Sequence, residues 1–251
     1  MIDSSPNPSD IIMPLDLLAA VAHPDDAELL AGGTLAKAVD AGRRVGILDL
    51  THGEMGSRGN AEIRAREAAA ASLVLGITAR TNAGLPDGHL ENNDAMRRVV
   101  VEQLRRLKPR TLILPYPVGR HPDHRVASEL VRDACFLSGL KNYPADGEPW
   151  KPLKVVYAFA YREDTVKPTF VVDTSAQFER KLKAVACYAS QFTPETIQAG
   201  ELYPTGQPIL ELIRTQDAHA GSLIRAAYGE PFWTAETMAV DDITRLGVAS
   251  L

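Results

Sequence analysis

Apolar and polar residues follow a repeating order along the first half of the chain. Short, nearly continuous apolar runs have the length of strands, and their character is typical of strands covered on both faces. The segments between them carry apolar residues at helical spacing, and several end at a glycine, which favours helix termination. Strands are predicted at 15–22, 43–50, 78–82 and 111–115, and helices at 27–41, 62–76, 94–107 and 125–137.

This alternation predicts an α/β fold. Repeated strand–helix pairs are typical of a Rossmann-like, mostly parallel sheet with helices on both faces. The second half is less regular, with strands predicted at 154–161 and 169–175 and helices at 177–190 and 208–228.

Domain organisation follows from the absence of a clear linker. The polar stretch at 141–152 is the only boundary candidate, and we interpret it as a surface loop. We therefore predict a single domain over 13–251, preceded by a flexible N-terminus at 1–12.

Composition and charge narrow the class of protein. The chain has 251 residues, 45% of them hydrophobic, and a formal net charge of −5. We expect no nucleic-acid partner, because the chain lacks the excess of basic residues that is typical of proteins that bind nucleic acids. No apolar stretch approaches the roughly 20 residues that span a membrane, and the N-terminus lacks signal-peptide features. Cys135 and Cys187 are predicted to be buried thiols, which favours a cytoplasmic protein.

Four polar clusters follow the first four predicted strands. They are HPDD at 23–26, THGEMGSRGN at 51–60, LPDGH at 85–89 and RHPDH at 120–124. Because ligands bind beyond the carboxyl ends of parallel strands, we expect the clusters to converge on one edge of the sheet.

Two of these clusters have the spacing of a metal site. His23 precedes Asp26 by three residues and His121 precedes His124 by three, a spacing that places side chains on one face of a helical turn. Two histidines with one or two carboxylates form a typical zinc ligand set. A lone His-Pro-Asp is more typical of a turn or helix cap, but two copies after buried strands favour the metal site.

An alternative of a different class stays open on the residues alone. A Rossmann-like binding module, in which the His-Pro-Asp turns are only caps, would contain no stoichiometric zinc. His52, His89 and His219 have no partner at metal-ligand spacing, so their roles are left open.

The motifs resemble those of a known family. Residues 22–26 read AHPDD and residues 121–124 read HPDH, as in the PIG-L/LmbE-type zinc-dependent N-deacetylases. The similarity continues through GGTLAK, LDLTHGE, LPDGHL and YASQF to Tyr228, Glu230 and Phe232. Within the family the chain is most similar to the bacillithiol biosynthesis deacetylases, which act on N-acetylglucosaminyl malate.

The similarity to the bacillithiol-type pattern has one departure. The loop THGEMGSRG looks more like the general form of the wider family, including mycothiol-type enzymes. Gly119, however, stands where mycothiol-type enzymes carry a tyrosine, and Arg120 matches the bacillithiol-type form.

The resemblance implies the catalytic roles. It implies that His23, Asp26 and His124 bind the metal, that Asp25 is the general base and that His121 meets the developing oxyanion. The metal is expected to be Zn²⁺, and Fe²⁺ also suits a His₂Asp site.

The resemblance also implies substrate contacts. Arg64 and Arg120 match positions that line the substrate site in bacillithiol-type relatives, where arginine forks suit the malate carboxylates. Asp87 is a candidate contact for a sugar hydroxyl.

The function implied is metal-dependent hydrolysis of the acetamide of an N-acetylglucosaminide. The preferred reaction converts N-acetylglucosaminyl malate to glucosaminyl malate and acetate in bacillithiol biosynthesis. A mycothiol-type inositol glycoside, a chitobiose-like sugar and an antibiotic-linked sugar are the alternative substrates. The expected partner is therefore a small anionic amino-sugar glycoside. The resemblance also suggests that the chain forms a homo-oligomer. The segment 162–168 is a candidate contact between its subunits.

Overall fold

A seven-stranded sheet organises the part of the chain that the computed structural model describes, residues 13–160, 166–192 and 208–248. The strands are β1 (Leu17–Val21), β2 (Val45–Asp49), β3 (Ala79–Asn82), β4 (Thr111–Pro115), β5 (Lys154–Ala158), β6 (Phe170–Asp173) and β7 (Gly229–Trp233). The helices are α1 (Asp26–Asp40), α2 (Ala61–Leu75), α3 (Asp94–Leu107), α4 (Pro122–Leu137), α5 (Phe178–Ala186), α6 (Ala189–Phe192) and α7 (Ile209–Ser222). A short 3₁₀ turn covers Ile243–Arg245.

The sheet is mostly parallel, which confirms the predicted fold class. Its strand order is β3-β2-β1-β4-β5-β7-β6, and the five strands from β3 to β5 run parallel. Only β7 runs against its neighbours, β5 and β6.

Alternate residues of β1 explain why its sequence is apolar throughout. Leu18 and Ala20 pack in the cluster that contains residues of α3 and α4, whereas Ala19 and Val21 pack in the cluster that contains residues of α1. Since helices cover both faces of the strand, neither face tolerates polar side chains.

The order of strands creates a crevice between β1 and β4. The chain moves from β1 to β2 and β3 on one side, and later returns to place β4 and β5 on the other side. Such a switch point leaves a gap beyond the carboxyl ends of the two central strands, where ligands bind in α/β proteins. The polar clusters after β1 and β4 both begin at this gap.

The largest difference from the sequence prediction lies near the C-terminus. The helix predicted at 208–228 ends at Ser222, and the antiparallel strand β7 follows after Arg225, which has a φ of 62°. The strand β7 was not predicted, because its sequence, GEPFW, contains a proline and lacks a regular alternation of apolar and polar residues. Pro231 stands opposite Val171 of β6 in the register.

Smaller differences concern helix bounds. The helix predicted at 177–190 is divided into α5 and α6, and α4 begins three residues earlier than predicted, at Pro122. Cys135 is buried as predicted, whereas Cys187 is partly exposed, and both are free thiols.

Two predictions lie outside the described residues. These are the flexible N-terminus at 1–12 and most of the segment 162–168 that was considered as a subunit contact. In the described ranges we find no helix with the length and apolar character needed to cross a bilayer.

The close approach of α7 to the start of β7 gives a test of this arrangement. A Cβ at Gly221 would lie 2.8 Å from backbone atoms of Tyr228, so Gly221→Ala forces two backbone segments apart. We expect a loss of about 1–3 kcal/mol in the free energy of unfolding, measured by denaturant titration. Gly247→Ala meets nothing within 4 Å and is the control, with a change within about 0.5 kcal/mol. Equal stability of the two variants would contradict the packing.

Candidate metal centre

The turn between β1 and α1 gives two adjacent aspartates different surroundings. The backbone amide of His23 donates to Asp26 Oδ2 at 2.9 Å, which closes the turn. Asp25 has a φ of 109°, a left-handed conformation that costs a non-glycine residue about 1–3 kcal/mol. As a result the two carboxylates contact different partners: Asp26 lies against histidines and Asp25 against an arginine.

The junction between β4 and α4 supplies the other two histidines. His121 is the N-cap of α4, and its Nδ1 accepts a hydrogen bond from the backbone amide of Asp123 at 3.2 Å. Pro122 occupies the first helical position, where its fixed φ suits the helix. His124 follows in the first turn, and its ring stacks on that of His121 with centroids 4.8 Å apart.

His23, Asp26 and His124 come together as a group of metal-ligand atoms. Their ligand atoms all lie within 4.8 Å of one another. Asp26 stands between the two rings, with Oδ2 3.3 Å from His23 Nδ1 and Oδ1 3.1 Å from His124 Nε2. The structure thus brings together the three residues that the family resemblance implies as ligands.

The spacing of these atoms fits a tetrahedral metal. Zinc binds nitrogen and oxygen at about 2.0–2.2 Å, which separates neighbouring tetrahedral ligands by about 3.3 Å. Each histidine lies at about this separation from a different oxygen of Asp26, 3.1 Å for Oδ1 and 3.3 Å for Oδ2, and with one atom taken from each residue the group spans at most 4.8 Å. Three protein ligands also leave a fourth position, as catalytic zinc sites do.

A second group, formed by His23, His121 and Asp123, has similar separations. One of its members, His121, is exposed, whereas His23 and Asp26 of the first group are buried and His124 is half-buried. The first group is therefore the better candidate for the metal.

Two carboxylates lie beyond His23 and fix the orientation of its ring. His23 Nε2 is 3.0 Å from Asp87 Oδ1 and 3.3 Å from Asp123 Oδ2. Metal-binding histidines commonly use their second nitrogen in this way, which sets the tautomer and strengthens the ligand. The sequence analysis gave Asp123 no role, although its position between the two histidines of HPDH was a usable signal.

Asp87 has both oxygens engaged. Its Oδ2 accepts from the Met55 amide at 2.8 Å, while Oδ1 faces His23. Burial alone would raise the pKa of Asp87, but the hydrogen bonds from His23 and Met55 lower it to about 2. A contact between Asp87 and a sugar hydroxyl stays a prediction.

Burial also acts on the ligand group. It would lower the pKa of His23, but the hydrogen bonds to Asp26 and Asp87 raise that pKa to about 11. Burial would likewise raise the pKa of Asp26, yet His124 and His23 hold it well below the ordinary value. Protons and a metal cation would therefore compete for the same ligand atoms of this group.

Arg64 holds the carboxylate of Asp25. Its Nη2 donates to Asp25 Oδ2 at 2.9 Å and also to the carbonyl oxygen of Pro24. Burial raises the pKa of Asp25 to about 7, and the charge of Arg64 opposes that rise. Both side chains are buried, so Arg64 is a partner of the predicted base in this structure. Its predicted contact with substrate stays a prediction.

The loop after β2 makes room for this arginine. A Cβ at Gly53 would lie 2.6 Å from Arg64 Nη1, and Gly53 has a φ of 69°. Glycine is therefore required here both for the backbone conformation and for the space that Arg64 occupies. This explains one glycine of the THGEMGSRGN cluster.

A cavity of about 410 Å³ opens over the candidate ligands. His121 and Arg120 are exposed at its rim, and Asp25, Arg64 and Asp87 also line it. Partial loss of solvent around its ring, together with the charges of the neighbouring His124 and His23, lowers the pKa of His121.

Other parts of the cavity wall are apolar or amide side chains. Leu29, Met55 and Phe192 contribute apolar surface, and Gln191 contributes an amide. The segments that carry Gln191 and Phe192 were not predicted as part of the site, because the YASQF motif offers no ionisable group near neutral pH.

The remaining histidines lie elsewhere in the described chain. His52 lines a separate pocket of about 220 Å³, and neither His89 nor His219 lines the 410 Å³ cavity. The structure gives these three histidines no place at the candidate metal centre.

Comparison with known proteins agrees with the geometry. The family profile described as PIG-L, GlcNAc-PI de-N-acetylase, matches residues 18–135. A diacetylchitobiose deacetylase of Thermococcus kodakarensis is 30% identical over 203 residues, which cover 74% of each chain. A 1D-myo-inositol 2-acetamido-2-deoxy-alpha-D-glucopyranoside deacetylase of Rhodococcus jostii is 26% identical and covers 85% of this chain and 93% of that protein.

Solved structures give the same picture. A conserved protein of Thermus thermophilus has a TM-score of 0.81 and 39% identity, covering 90% of this chain and 98% of its own. The N,N'-diacetylchitobiose deacetylase of Pyrococcus horikoshii has a TM-score of 0.73 and 25% identity, covering 90% and 86%.

The two histidines of HPDH should differ in their effect on metal binding. His124→Ala removes a predicted metal ligand. The zinc affinity of this variant should fall by more than the roughly 10–100-fold that is typical when a residue hydrogen-bonded to a metal ligand is removed. His121→Ala removes a residue that faces the cavity from beside the ligand group, and it should retain stoichiometric zinc. The zinc content after dialysis, measured by mass spectrometry, checks both variants. Equal zinc content would show that the ligand set is wrong.

Proposed function

Because the chain belongs to the PIG-L family of N-deacetylases, we propose that it hydrolyses the acetamide of an N-acetylglucosaminide with a divalent metal ion, preferably zinc. The observation that carries the proposal is the convergence of His23, Asp26 and His124 at the strand switch point, with Asp25 beside them and a cavity above. Proteins similar to this chain are deacetylases of amino sugars by name.

His23, Asp26 and His124 would hold the metal. When bound, a divalent cation supplies Lewis-acid chemistry, since it polarises a carbonyl oxygen and lowers the pKa of water. The donor set of two imidazoles and one carboxylate leaves such an ion with net positive charge.

Asp25 is assigned the transfer of the proton. A water oxygen attacks the acetyl carbon, and Asp25 accepts the proton that this water loses. The same carboxyl then returns a proton to the amide nitrogen as the carbon–nitrogen bond breaks, which releases acetate and the free amine. Arg64 supports this role because its Nη2 donates to Asp25 Oδ2 at 2.9 Å and so fixes the orientation of the carboxylate.

His121 is assigned to the oxygen that becomes negative during attack. It lies at the rim of the cavity next to the ligand group, with its ring centroid 4.9 Å from that of His23. A hydrogen bond from this ring to the oxyanion stabilises the transition state more than the substrate, and removal of one such donor typically costs about 10²–10³ in kcat.

For the aglycone we propose an anionic group, as in N-acetylglucosaminyl malate, bound by Arg120 at the cavity rim. Arg64 is buried against Asp25, so we assign the binding of the anionic group to Arg120, which also lines the cavity. The second candidate substrate is N,N'-diacetylchitobiose, which is favoured by the 30% identity to a diacetylchitobiose deacetylase. The cytoplasm stays the expected compartment, and assembly into an oligomer stays a prediction.

Asp25→Asn tests the proton-transfer role. The amide has nearly the same shape but cannot accept the proton, so we expect intact zinc binding and a fall in kcat of about 10²–10⁴. Acetate release measures the rate, and zinc content is measured on the same sample. Asp146→Asn, an exposed aspartate in a loop away from the cavity, is the matched control and should keep full activity. A rate for Asp25→Asn within a fewfold of the unaltered protein would contradict the assignment.

A comparison of substrates tests the proposed aglycone. We expect the highest kcat/KM for N-acetylglucosaminyl malate against N,N'-diacetylchitobiose and the inositol glycoside. Arg120→Gln should raise KM for the malate glycoside about tenfold or more, since a hydrogen bond to a charged group is lost, and should leave the neutral substrates unchanged. Arg98→Gln on α3 is the control arginine. A preference for chitobiose would favour the second candidate, and a zinc-loaded protein inactive on every N-acetylglucosaminide would overturn the proposal.

A further inference from the structure

A buried ionic cluster lies behind the candidate site, outside the cavity lining. Lys181 of α5 donates from Nζ to Glu230 Oε1 at 2.7 Å and to Asp217 Oδ2 at 2.8 Å. The side chains of all three residues are at most 1% exposed. Burying three charges costs solvation energy that the pairing only partly returns, so such a cluster is weak evidence for added stability.

The cluster meets α1 where that helix is interrupted. Ala31 has a φ of −148° and a ψ of 17°, so the helical hydrogen-bond pattern breaks between residues 26–30 and the remainder of α1. We call residues 26–30 the ligand segment, because it begins at Asp26. The part of α1 after the break starts a new helical turn, whose first amides need acceptors from outside the helix.

Glu230 supplies those acceptors. Its Oε1 accepts from the Gly33 amide at 2.8 Å and its Oε2 from the Thr34 amide at 2.7 Å. A carboxylate at the start of a helical turn is stabilised by the helix dipole, and its two oxygens accept hydrogen bonds from both backbone amides. Glu230 therefore acts as an N-cap supplied from β7, remote in sequence.

The glycines at the break make this contact possible. A Cβ at Gly33 would lie 2.7 Å from Thr174 Cβ and 3.2 Å from Glu230 Oε1. A Cβ at Gly32 would lie 3.1 Å from Lys181 Cγ. The approach of α5 and of Glu230 to α1 thus explains the Gly-Gly pair.

A second buried contact holds the ligand segment from its other side. Glu28, fully buried within the segment, accepts from Arg80 Nη1 at 2.6 Å and from the Tyr188 hydroxyl at 3.1 Å. The segment is therefore anchored to β3 through Arg80, while the helix that continues from it is anchored to β7 through Glu230. Asp26, which lies 3.1 Å from His124 Nε2, is therefore joined to the remainder of α1 through the break at Ala31.

From this arrangement we infer that Glu230 is a positioning residue for the metal centre. By capping the part of α1 that follows the break, it fixes the helix to which the ligand segment is joined, so that Asp26 meets His23 and His124. Lys181, which donates to Glu230 Oε1 at 2.7 Å, holds the Glu230 carboxylate in place. The inference rests on the proposed function, since it concerns the residues proposed to bind the metal.

The test compares Glu230→Gln with Asp217→Asn in the full chain. Both variants replace a buried acid of the same cluster by its amide, and Glu230 is the acid that accepts from the Gly33 and Thr34 amides of α1. A glutamine side chain in place of Glu230 offers one acceptor oxygen to two backbone donors, so the cap is lost in part. We expect zinc affinity to fall about tenfold or more in Glu230→Gln, a loss of the size typical of supporting residues, and to stay within about twofold of the unaltered protein in Asp217→Asn.

Zinc affinity is measured on metal-free protein by competition with a chromophoric chelator, and thermal stability is recorded for both variants. A drop in zinc affinity confined to Glu230→Gln, with kcat reduced and KM unchanged, supports the inference. Equal zinc affinity in all three proteins overturns it, as does an equal loss in both variants, since that would reflect general destabilisation. If Glu230→Gln does not fold, Glu230→Asp decides by the same criterion, because its shorter side chain keeps the charge but cannot reach both amides. Failure of the unaltered protein to bind zinc would instead refute the proposed function.

Discussion

The conformation of one residue, Asp25, is the constraint on which the site depends. Two carboxylates adjacent in sequence are proposed to have different roles, and in a regular turn or helix the backbone would fix the distance between them. The φ of 109° at Asp25 gives each carboxylate its own partners, so that Asp26 lies between His23 and His124 while Asp25 lies against Arg64. The strain of this conformation has to be offset by the surrounding contacts.

Those contacts are mostly buried and charged, and they converge on the first turns of α1. Arg64 holds Asp25, Arg80 holds Glu28, and Glu230 caps the helix after its break at Ala31. Such groups cost solvation energy and act in defined directions, which suits them to fixing a geometry more than to adding stability. The apolar core, by contrast, places β1 and β4 side by side and sets only the coarse position of the site.

The sequence was informative wherever a local pattern carried the information. The apolar runs of β1 and β4 predicted central strands, and the two His-Pro-Asp motifs after them predicted that His23, Asp26, His121 and His124 would converge, as the structure has it. The predicted α/β fold and the predicted enzyme class, an N-deacetylase, are confirmed.

What the sequence did not reveal depends on contacts between distant segments. The pairing of Arg64 with Asp25 joins residues 39 positions apart, and the cap from Glu230 to the Gly33 amide joins residues 197 positions apart. The strand β7 lacks a regular pattern of its own and is defined by its neighbours β5 and β6. Glu230 was part of the family resemblance, but the residues next to it in the sequence give no sign that its side chain caps the distant helix α1. The polar contacts between a candidate site and its supporting residues are therefore harder to predict than the convergence of its histidines and aspartates.

The most direct test of this account is a crystal structure of the zinc-loaded protein, with the metal located by anomalous diffraction. The account predicts zinc bound by His23, Asp26 and His124 at about 2.0–2.2 Å, with Asp25 outside the coordination sphere and still paired with Arg64. Coordination by Asp25, or by His121 and Asp123 in place of Asp26 and His124, would contradict it.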